Sequence, residues 1–213
     1  GDSRIGSKTS INFREFKNQV GGFYPPNKII INTDFLNSLP SDQLKSGLGE
    51  MLHYFIVSGE DDFKNLSINY PLALSDKSIL INLIHRSLII KKNFIELDEF
   101  DCNESQVLNY GHSFGHAIES LTNYSIPHGI AVCRGMDMAN FISMKLGYIT
   151  NETRLEIREL CEKIWTGFDI SNIPVKGFIS ALSKDKKNAG NKLGLILITG
   201  YGRAFKEMRE NDN

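Results

Sequence analysis

The stretch of sequence that decides the fold is Asn109-Tyr110-Gly111-His112-Ser113-Phe114-Gly115-His116-Ala117-Ile118-Glu119. It places two of the chain's five histidines four residues apart, at the start of a segment that favours a helix. Because four residues make about one helical turn, His112 and His116 are expected on the same helix face. Two imidazoles on one face can share a metal ion, or one can bind a metal while the other binds an anion.

A third histidine, His128, lies between Pro127 and Gly129. Proline and glycine predict a turn here, and the apolar run that follows predicts a helix. A histidine at a helix N-terminus feels the positive end of the helix dipole, which disfavours imidazolium and leaves a lone pair for a metal. His112, His128 and a carboxylate would make the donor set of a catalytic zinc ion with open positions. A pair of histidines on a helix face can equally be packed and hydrogen-bonded.

The same stretch contains Gly111-His112-Ser113-Phe114-Gly115, which matches the nucleophile elbow of α/β-hydrolases. That interpretation needs an acid and then a histidine later in the chain. His128 is the only later histidine, and the only acid before it is Glu119, directly behind the proposed elbow. The sequence also predicts too few strands for a hydrolase sheet, so we disfavour this interpretation.

The composition bounds the class of protein. The 213 residues are 41% hydrophobic and 23% charged, with a net charge of −1, as in a globular protein with one substantial core or two small domains. The balanced charge gives no reason to expect nucleic acid or membrane binding. No apolar run approaches the roughly 20 residues of a transmembrane helix, and there is no signal-peptide pattern. Three widely spaced cysteines fit reduced thiols, so we expect a cytoplasmic protein.

Local patterns predict a mainly α-helical chain with a few short strands. Helical structure is expected from Ser41, taken as an N-cap, and short strands at Lys28–Asn32 and Leu193–Thr199. Further helices are expected at Ser78–Glu96, Leu108–Asn123, Ile130–Leu146, Glu152–Trp165 and Val175–Ser183. Loops are expected at Lys8, at Lys17 and Asn18, and at Lys184–Asn188, with a frayed tail from Lys206 to Asn213. Basic loops of this kind are most often solvated surface.

Taken together, the ordered motifs resemble 3-dehydroquinate synthase and its sugar-phosphate cyclase relatives. The central stretch from Leu108 to Glu119 resembles the family signature. Agreement continues in Asp2–Asn12, Lys17–Pro26, Leu39-Pro40, Gly47–Glu50, Asp98-Glu99, His128–Val132 and Asp185–Lys187. The resemblance implies that residues 1–40 join an N-terminal NAD-binding domain absent from this chain. Residues 41–213 would then form a helical C-terminal domain, of the dehydroquinate-synthase-like fold, that binds metal and substrate.

The resemblance also implies a reaction. The family members are lyases that use NAD catalytically: a hydroxyl of a sugar phosphate is oxidised to a ketone, which acidifies the neighbouring C–H bond. Phosphate is then eliminated, the ketone is reduced again, and the opened ring closes in an intramolecular aldol step. Zinc, or cobalt, acts as a Lewis acid on the hydroxyl and ketone oxygens. The implied partner is a small sugar phosphate, and the implied assembly is a homodimer.

Site residues are implied position by position. The implied metal ligands are Glu50, His112 and His128. The implied phosphate contacts are Lys8, Asn18, His116, Lys186 and Lys187. The implied NAD contacts are Asp2, Lys17 and Asn18. The implied catalytic and substrate-binding residues are Lys8, His53, Lys91, Asn109 and His116. A metal ion would also explain a buried Glu50, which otherwise needs a partner cation.

Two departures from the family pattern concern the substrate. His53 stands where the Glu-x-x-Lys motif has lysine, and Ser105 stands where an arginine is expected to pair with the substrate carboxylate. Losing a charge-assisted contact costs about 1.5–3 kcal/mol. Either protonated His53 and Lys91 bind the usual acid, or the chain acts on a different sugar phosphate, as the deoxy-inosose and valiolone synthases do.

Two other hypotheses stay open at this point. One is a non-catalytic helical domain in which the metal is a closed structural site. The other is a metal-dependent polyol dehydrogenase, which also places metal ligands on helices but needs no phosphate pocket. Because the site of both enzyme families lies between two domains, this chain alone is expected to be inactive.

Overall fold

The fold was analysed in a computed structural model that describes residues 5, 8–13, 16–24, 26–98, 104–183, 188, 190 and 192–210. It is mainly helical, as predicted. The helices are α1 (Ser41–Ser58), α2 (Glu60–Ala73), α3 (Lys77–Leu97), α4 (His112–Leu121), α5 (His128–Lys145), α6 (Asn151–Trp165) and α7 (Val175–Ser183). Two antiparallel hairpins are formed by β1 (Lys8–Phe13) with β2 (Phe16–Phe23), and by β3 (Lys192–Gly200) with β4 (Arg203–Glu210). Short 3-10 helices span Thr33–Ser38 and Glu104–Asn109.

The core is built around α1 and α5. Leu48, Leu52, Phe55 and Ile56 of α1 are completely buried, because α5 covers one side of the helix and α2 and α3 cover others. Helix α5 also packs against α4, α6 and β3. Among the described residues, no helix combines the length and the apolar character that crossing a bilayer requires.

The predicted helix boundaries are largely confirmed, with two corrections at N-termini. Helix α1 starts at Ser41 itself, and Pro40 takes the N-cap position in extended conformation. Helix α4 starts at His112 rather than at Leu108, because Gly111 adopts the left-handed conformation with φ +78°. A side chain there would also meet Met136 Cγ at 2.6 Å, so only glycine suits this position.

The predictions for the polar and terminal segments were partly wrong. Residues 28–32 form no strand, and Ile30 is 79% exposed: β-branching favours extended backbone, but a strand also needs a paired neighbour. Lys8, Lys17 and Asn18 lie in hairpin strands rather than loops. The supposed frayed tail is β4 as far as Glu210, because it pairs with the buried strand β3. Residues 184–187 and 211–213 lie outside the described residues.

Candidate metal centre

Three helices bring Glu50, His112 and His128 together. Glu50 lies in α1, His112 opens α4 and His128 opens α5. The Nε2 atom of His128 is 3.3 Å from Oε2 of Glu50, and Nε2 of His112 is 3.7 Å from the same oxygen. One ligand atom from each residue can be chosen so that all three lie within 4.8 Å of one another. The structure thus places the three implied metal ligands around a common point.

A close crossing of α1 and α5 sets the position of His128 relative to Glu50. The Gly129 N–H donates a hydrogen bond to Ser46 Oγ at 2.9 Å. A Cβ atom at Gly129 would lie only 1.8 Å from the Ser46 carbonyl oxygen. A Cβ atom at Gly49 would likewise lie 2.5 Å from the Gly129 carbonyl oxygen. The two glycines therefore let the helix backbones approach closely beside the ligand positions.

Both histidines are oriented through the ring nitrogen that faces away from the centre. Nδ1 of His112 lies 3.2 Å from the Tyr110 carbonyl oxygen, and Nδ1 of His128 lies 3.0 Å from Oε2 of Glu119. Acceptors at Nδ1 favour the tautomer with a proton there, which leaves the Nε2 lone pair for a metal ion. Such outer contacts are typical of metal-binding histidines.

The charges at the site are strongly coupled. Burial acts to raise the pKa of Glu50, but electrostatic attraction to the neighbouring His53 and His112 rings and contacts with His112 and His128 hold it well below the ordinary value. Burial acts to lower the pKa of His128, but contacts with Glu119 and Glu50 raise it to about 9. The sequence argument from the helix dipole therefore predicted the wrong direction for His128. A dipole contributes only about 0.3–1 kcal/mol, and two neighbouring carboxylates outweigh it.

The donor set fits a zinc-like ion. Four ligands at about 2.0–2.1 Å from a tetrahedral zinc ion lie about 3.3–3.4 Å from one another. The separation of His128 Nε2 from Glu50 Oε2 is 3.3 Å, and that of His112 Nε2 from the same oxygen is somewhat longer, at 3.7 Å. Oε2 of Glu50 is buried and has no hydrogen-bond partner among the described residues, although Nε2 of His128 is only 3.3 Å away. The two atoms are therefore close but not aligned as donor and acceptor in a hydrogen bond, and two lone pairs directed at a shared cation would explain this geometry.

His53 lies behind the proposed metal ligands. It is completely buried in α1, with Nε2 3.3 Å from Oε1 of Glu50. Its ring meets the His112 ring edge to face at a centroid distance of 5.0 Å. In this position, His53 orients Glu50 rather than extending toward solvent as a lysine side chain would.

Three further predicted residues lie on elements that surround the centre. The half-buried His116 ring is 5.5 Å from the His112 ring and 5.8 Å from the His128 ring, between centroids. Asn109 donates from Nδ2 to the Gln106 carbonyl oxygen at 3.2 Å. Lys91 of α3 has its Nζ atom 5.8 Å from the centre of the Tyr54 ring. His116 is the one of these three that the ring distances tie directly to the proposed ligands.

The other predicted phosphate and NAD contacts are described incompletely or not at all. For Lys8, Lys17 and Asn18 the structure describes only the backbone, in the β1–β2 hairpin. Lys8 pairs with Phe23 at the open end of this hairpin, whereas Lys17 and Asn18 follow the Phe13–Phe16 pair at its turn. Asp2, Lys186 and Lys187 lie outside the described residues.

A mostly aliphatic cavity of about 310 Å³ opens beside the centre, between the first 3-10 helix, α1 and α3. Glu50 and His128 form part of its wall. The remaining wall is mainly leucine and isoleucine, including Leu36, Leu44 and Ile84. The centre therefore has a polar side, near His116, and an apolar side.

The hydrolase hypothesis fails on local structure. Ser113 is the second residue of α4 and is buried, and the segment before it is a 3-10 helix, not a strand. Its Oγ atom has no hydrogen-bond partner among the described residues. A nucleophile elbow requires an exposed serine between a strand and a helix, next to a histidine base.

The sequence argument missed Glu119 as part of the site. From the sequence Glu119 was assigned only the role of the acid of a hydrolase, whereas its carboxylate contacts His128. The signal was present, because Glu119 follows His112 by seven residues and His116 by three. Those spacings put all three side chains on one face of α4.

Comparison with known proteins identifies the family. The sequence model described as 3-dehydroquinate synthase C-terminal matches residues 47–188, and the model described as 3-dehydroquinate synthase N-terminal matches residues 1–46. The chain belongs to the 3-dehydroquinate synthase family. The recognition made from the sequence motifs is thereby confirmed.

Relatives within and around the 3-dehydroquinate synthase family agree with this assignment. The chain is 36% identical over 203 residues to 3-dehydroquinate synthase of Alkaliphilus metalliredigens, covering 94% of the chain and 57% of the relative. It shares its fold with 2-epi-5-epi-valiolone synthase of Streptomyces hygroscopicus, solved with NAD+ and Zn2+ (TM-score 0.85, 22% identity, 100% and 59% of the two chains). The chain also shares its fold with a 2-deoxy-scyllo-inosose synthase complexed with carbaglucose-6-phosphate, NAD+ and Co2+ (TM-score 0.81, 22% identity, covering 98% of this chain and 60% of that chain). The chain spans less than two thirds of the length of these relatives.

Proposed function

We propose that this chain is the metal- and substrate-binding part of a sugar-phosphate cyclase, with 3-dehydroquinate synthase as the first candidate activity. On this proposal the enzyme is a phosphate-eliminating lyase of the shikimate pathway, which leads to aromatic amino acids. The observation that carries the proposal is the convergence of Glu50 Oε2, His112 Nε2 and His128 Nε2 at separations that suit one tetrahedral ion.

Glu50, His112 and His128 would hold the ion, which we expect to be zinc or cobalt. When bound, such an ion supplies Lewis acidity to an oxygen of the substrate. Three protein ligands leave a coordination position for that oxygen, as in catalytic rather than structural zinc sites. The 3-dehydroquinate synthase family supports this assignment over a closed structural site.

The residues on the polar side would handle the phosphate. We propose that His116 donates a hydrogen bond to a phosphate oxygen, because its ring lies within 6 Å of both metal-binding imidazoles. Lys8, Asn18 and Lys186 or Lys187 would complete the anion pocket. Asn109, just before the turn at Gly111, would orient a substrate hydroxyl through its amide.

The apolar side would receive the redox cofactor. When bound, NAD would supply hydride exchange with a carbon of the substrate. The aliphatic cavity next to Glu50 and His128 offers a place for its nicotinamide ring. Asp2, Lys17 and Asn18 remain proposed contacts of NAD.

A second candidate is a cyclase that acts on a sugar phosphate without a carboxylate. Ser105 is buried, and both its N–H and its hydroxyl donate to Oδ2 of Asp98, at 3.0 and 2.8 Å. His53 is directed at Glu50. Two positions expected to bind a carboxylate therefore serve internal contacts instead. Lys91 would be the remaining cation for an acidic substrate.

A phosphate-release assay distinguishes the candidates. The assay uses protein in which this chain is joined to a complete N-terminal domain of the family, with NAD and zinc added. The substrates compared are the seven-carbon acid phosphate of 3-dehydroquinate synthase, glucose 6-phosphate and sedoheptulose 7-phosphate. Release from the acid phosphate supports the first candidate, and release from either sugar phosphate supports the second.

Two controls complete the assay. Glu50→Gln is expected to abolish release, since a neutral amide is a much poorer metal ligand than a carboxylate. Release from none of the substrates by folded, metal-loaded protein would refute the cyclase proposal. Net NADH production from a polyol would favour the dehydrogenase hypothesis instead. The chain alone is expected to release no phosphate.

We also infer a cytoplasmic homodimer. The cytoplasmic assignment is supported by Cys133 and Cys161, which are buried free thiols and fit a reducing compartment. The homodimer follows from the family resemblance, and sedimentation equilibrium of the protein with its N-terminal domain would test it.

A further inference from the structure

The two histidines proposed to bind the metal differ in the acceptor that lies next to Nδ1, the ring nitrogen that faces away from the metal centre. Nδ1 of His112 meets a neutral acceptor, the Tyr110 carbonyl oxygen, whereas Nδ1 of His128 meets the Glu119 carboxylate. A carboxylate acceptor makes an imidazole a stronger donor to a metal than a carbonyl does. The two ligands are therefore not equivalent, and the difference comes from Glu119.

The contact between Glu119 and His128 is significant because Glu119 is buried. Glu119 is only 4% exposed, and a buried carboxylate is costly unless its charge is compensated. His128 lies between two carboxylates, with Nδ1 3.0 Å from Oε2 of Glu119 and Nε2 3.3 Å from Oε2 of Glu50. Together the two acids carry two negative charges, which equal the charge of one divalent cation.

We propose that Glu119 is a positioning residue for the metal centre. It holds the proton of His128 on Nδ1 and fixes the rotation of the ring, so that Nε2 points at the ion. It also supplies the second negative charge that balances a divalent cation. One helix, α4, thus contributes the ligand His112 and the carboxylate that orients the ligand of the neighbouring helix α5. This inference depends on the metal site of the proposed function.

The test must also separate a second role for Glu119, that of a metal ligand. Ligand atoms of His116, Glu119 and His128 also lie within 4.8 Å of one another, so these residues could hold an ion directly. In that arrangement Glu119 would be a ligand, and the protein would bind two ions rather than one. Stoichiometry therefore distinguishes the two roles.

The test compares zinc affinity and stoichiometry in the protein carrying its N-terminal domain, measured by competition with a chromophoric chelator. Glu119→Leu is expected to weaken zinc binding by about 10- to 100-fold. Glu119→Gln is expected to fall between wild type and Glu119→Leu, because its amide oxygen still accepts from Nδ1 but carries no charge. The control is Asp137→Asn, which removes the charge of a half-buried carboxylate in α5, about 14 Å further along that helix from His128. It is expected to lower the melting temperature but leave zinc affinity unchanged.

A second readout reports on the ring itself. In the zinc-loaded wild type, nitrogen-15 NMR is expected to show a protonated Nδ1 and a metal-bound Nε2 for His128. In Glu119→Gln, the His128 signals are expected to shift while those of His112 stay in place. A loss of stability alone would not move one histidine selectively.

Each outcome bears on a definite claim. If wild type binds no zinc, the proposed metal site fails, and this inference fails with it. If wild type binds one zinc ion and Glu119→Gln and Glu119→Leu bind it equally well, only the inference about Glu119 is overturned. If wild type binds two ions and Glu119→Gln binds one, Glu119 is a ligand and the positioning role is wrong. If Glu119→Leu does not fold, Glu119→Gln decides between these outcomes.

Discussion

Replacing Gly129 by alanine tests whether the helix crossing sets the metal geometry. The new Cβ atom would lie 1.8 Å from the Ser46 carbonyl oxygen and 2.7 Å from the Glu50 nitrogen. Ordinary contact begins near 3.4 Å, so the start of α5 must move about 1.6 Å away from α1. The nearest atoms are backbone atoms of Ser46 and Glu50 in α1, so no flexible side chain can move aside to accommodate the new methyl group.

The expected effects follow from that displacement. Overpacking costs about 1–3 kcal/mol, and the lost hydrogen bond from Gly129 to Ser46 adds about 0.5–1.5 kcal/mol. We therefore expect the free energy of unfolding to fall by about 2–4 kcal/mol. Metal–ligand distances tolerate only about 0.2 Å, so moving His128 from Glu50 by more than an ångström should lower zinc affinity at least about 100-fold.

Urea unfolding of the metal-free protein and chelator competition with zinc measure the two effects. Gly47→Ala is the matched control: Gly47 lies in the same helix as Glu50, three residues before it, and no described atom lies within 4 Å of the position that a Cβ atom would take there. That change should stabilise α1 by about 0.5–1 kcal/mol and leave zinc binding intact. Wild-type zinc affinity in a folded Gly129→Ala protein would refute the idea that this crossing determines the site.

Three further predictions concern charge and buried polar groups. Because contacts with carboxylates raise the pKa of His128 to about 9, zinc must displace a proton when it binds. Calorimetry at pH 7.5 in buffers of different ionisation enthalpy should show release of about one proton, and a binding enthalpy that does not depend on the buffer would contradict this. The two hydrogen bonds that Arg86 donates to Asp62, both 2.8 Å, lower the pKa of Asp62 in the folded protein. This pair therefore stabilises the fold at any pH above the unfolded pKa of Asp62, near 3.9, and the stabilisation is lost as the pH falls through the lower pKa of the folded state. Arg86→Ala should therefore lower the free energy of unfolding, measured in urea, by about 0.5–1 kcal/mol at pH 7 and by less at pH 3. An equal decrease at both pH values would exclude a role for the charge of Asp62. Tyr110→Phe removes the hydroxyl that donates to Oδ1 of buried Asn140, and this change should lower the free energy of unfolding by about 1–3 kcal/mol in the same assay. An unchanged free energy of unfolding would mean that this hydrogen bond makes no net contribution to stability.

The helices were predictable because their signal is local. Apolar spacing located α3, α5, α6 and α7 within two residues, and β3 equally well. Strands that are themselves rich in polar residues were not predictable in this way. The first hairpin was hidden by its lysines and glycines, and β4 by its alternating charges. The segment 28–32 has strand composition but no described partner, and composition alone cannot supply one.

The site was predictable in its residues but not in its geometry. Sequence spacing joined His112 to His116 on one face, whereas the structure joins His112 to His128 and Glu50, which come from other helices. The residues themselves indicated His112 and His128 with a carboxylate, and only the family resemblance indicated that the carboxylate is Glu50. The raised pKa of His128 and the contact from Glu119 depend on distances between helices, which no local pattern contains.

Helix α1, which carries Glu50, is far along the chain from the consecutive helices α4 and α5, which carry His112 and His128. An ion gripped by all three would tie position 50 to position 128, a span of 78 residues, in the manner of a removable cross-link. Closing a loop of that length by random motion is entropically unfavourable, so the ion can be captured tightly only after α1, α4 and α5 have already come together. Once captured, it would resist their separation, and chelation would loosen the centre of the molecule before its periphery.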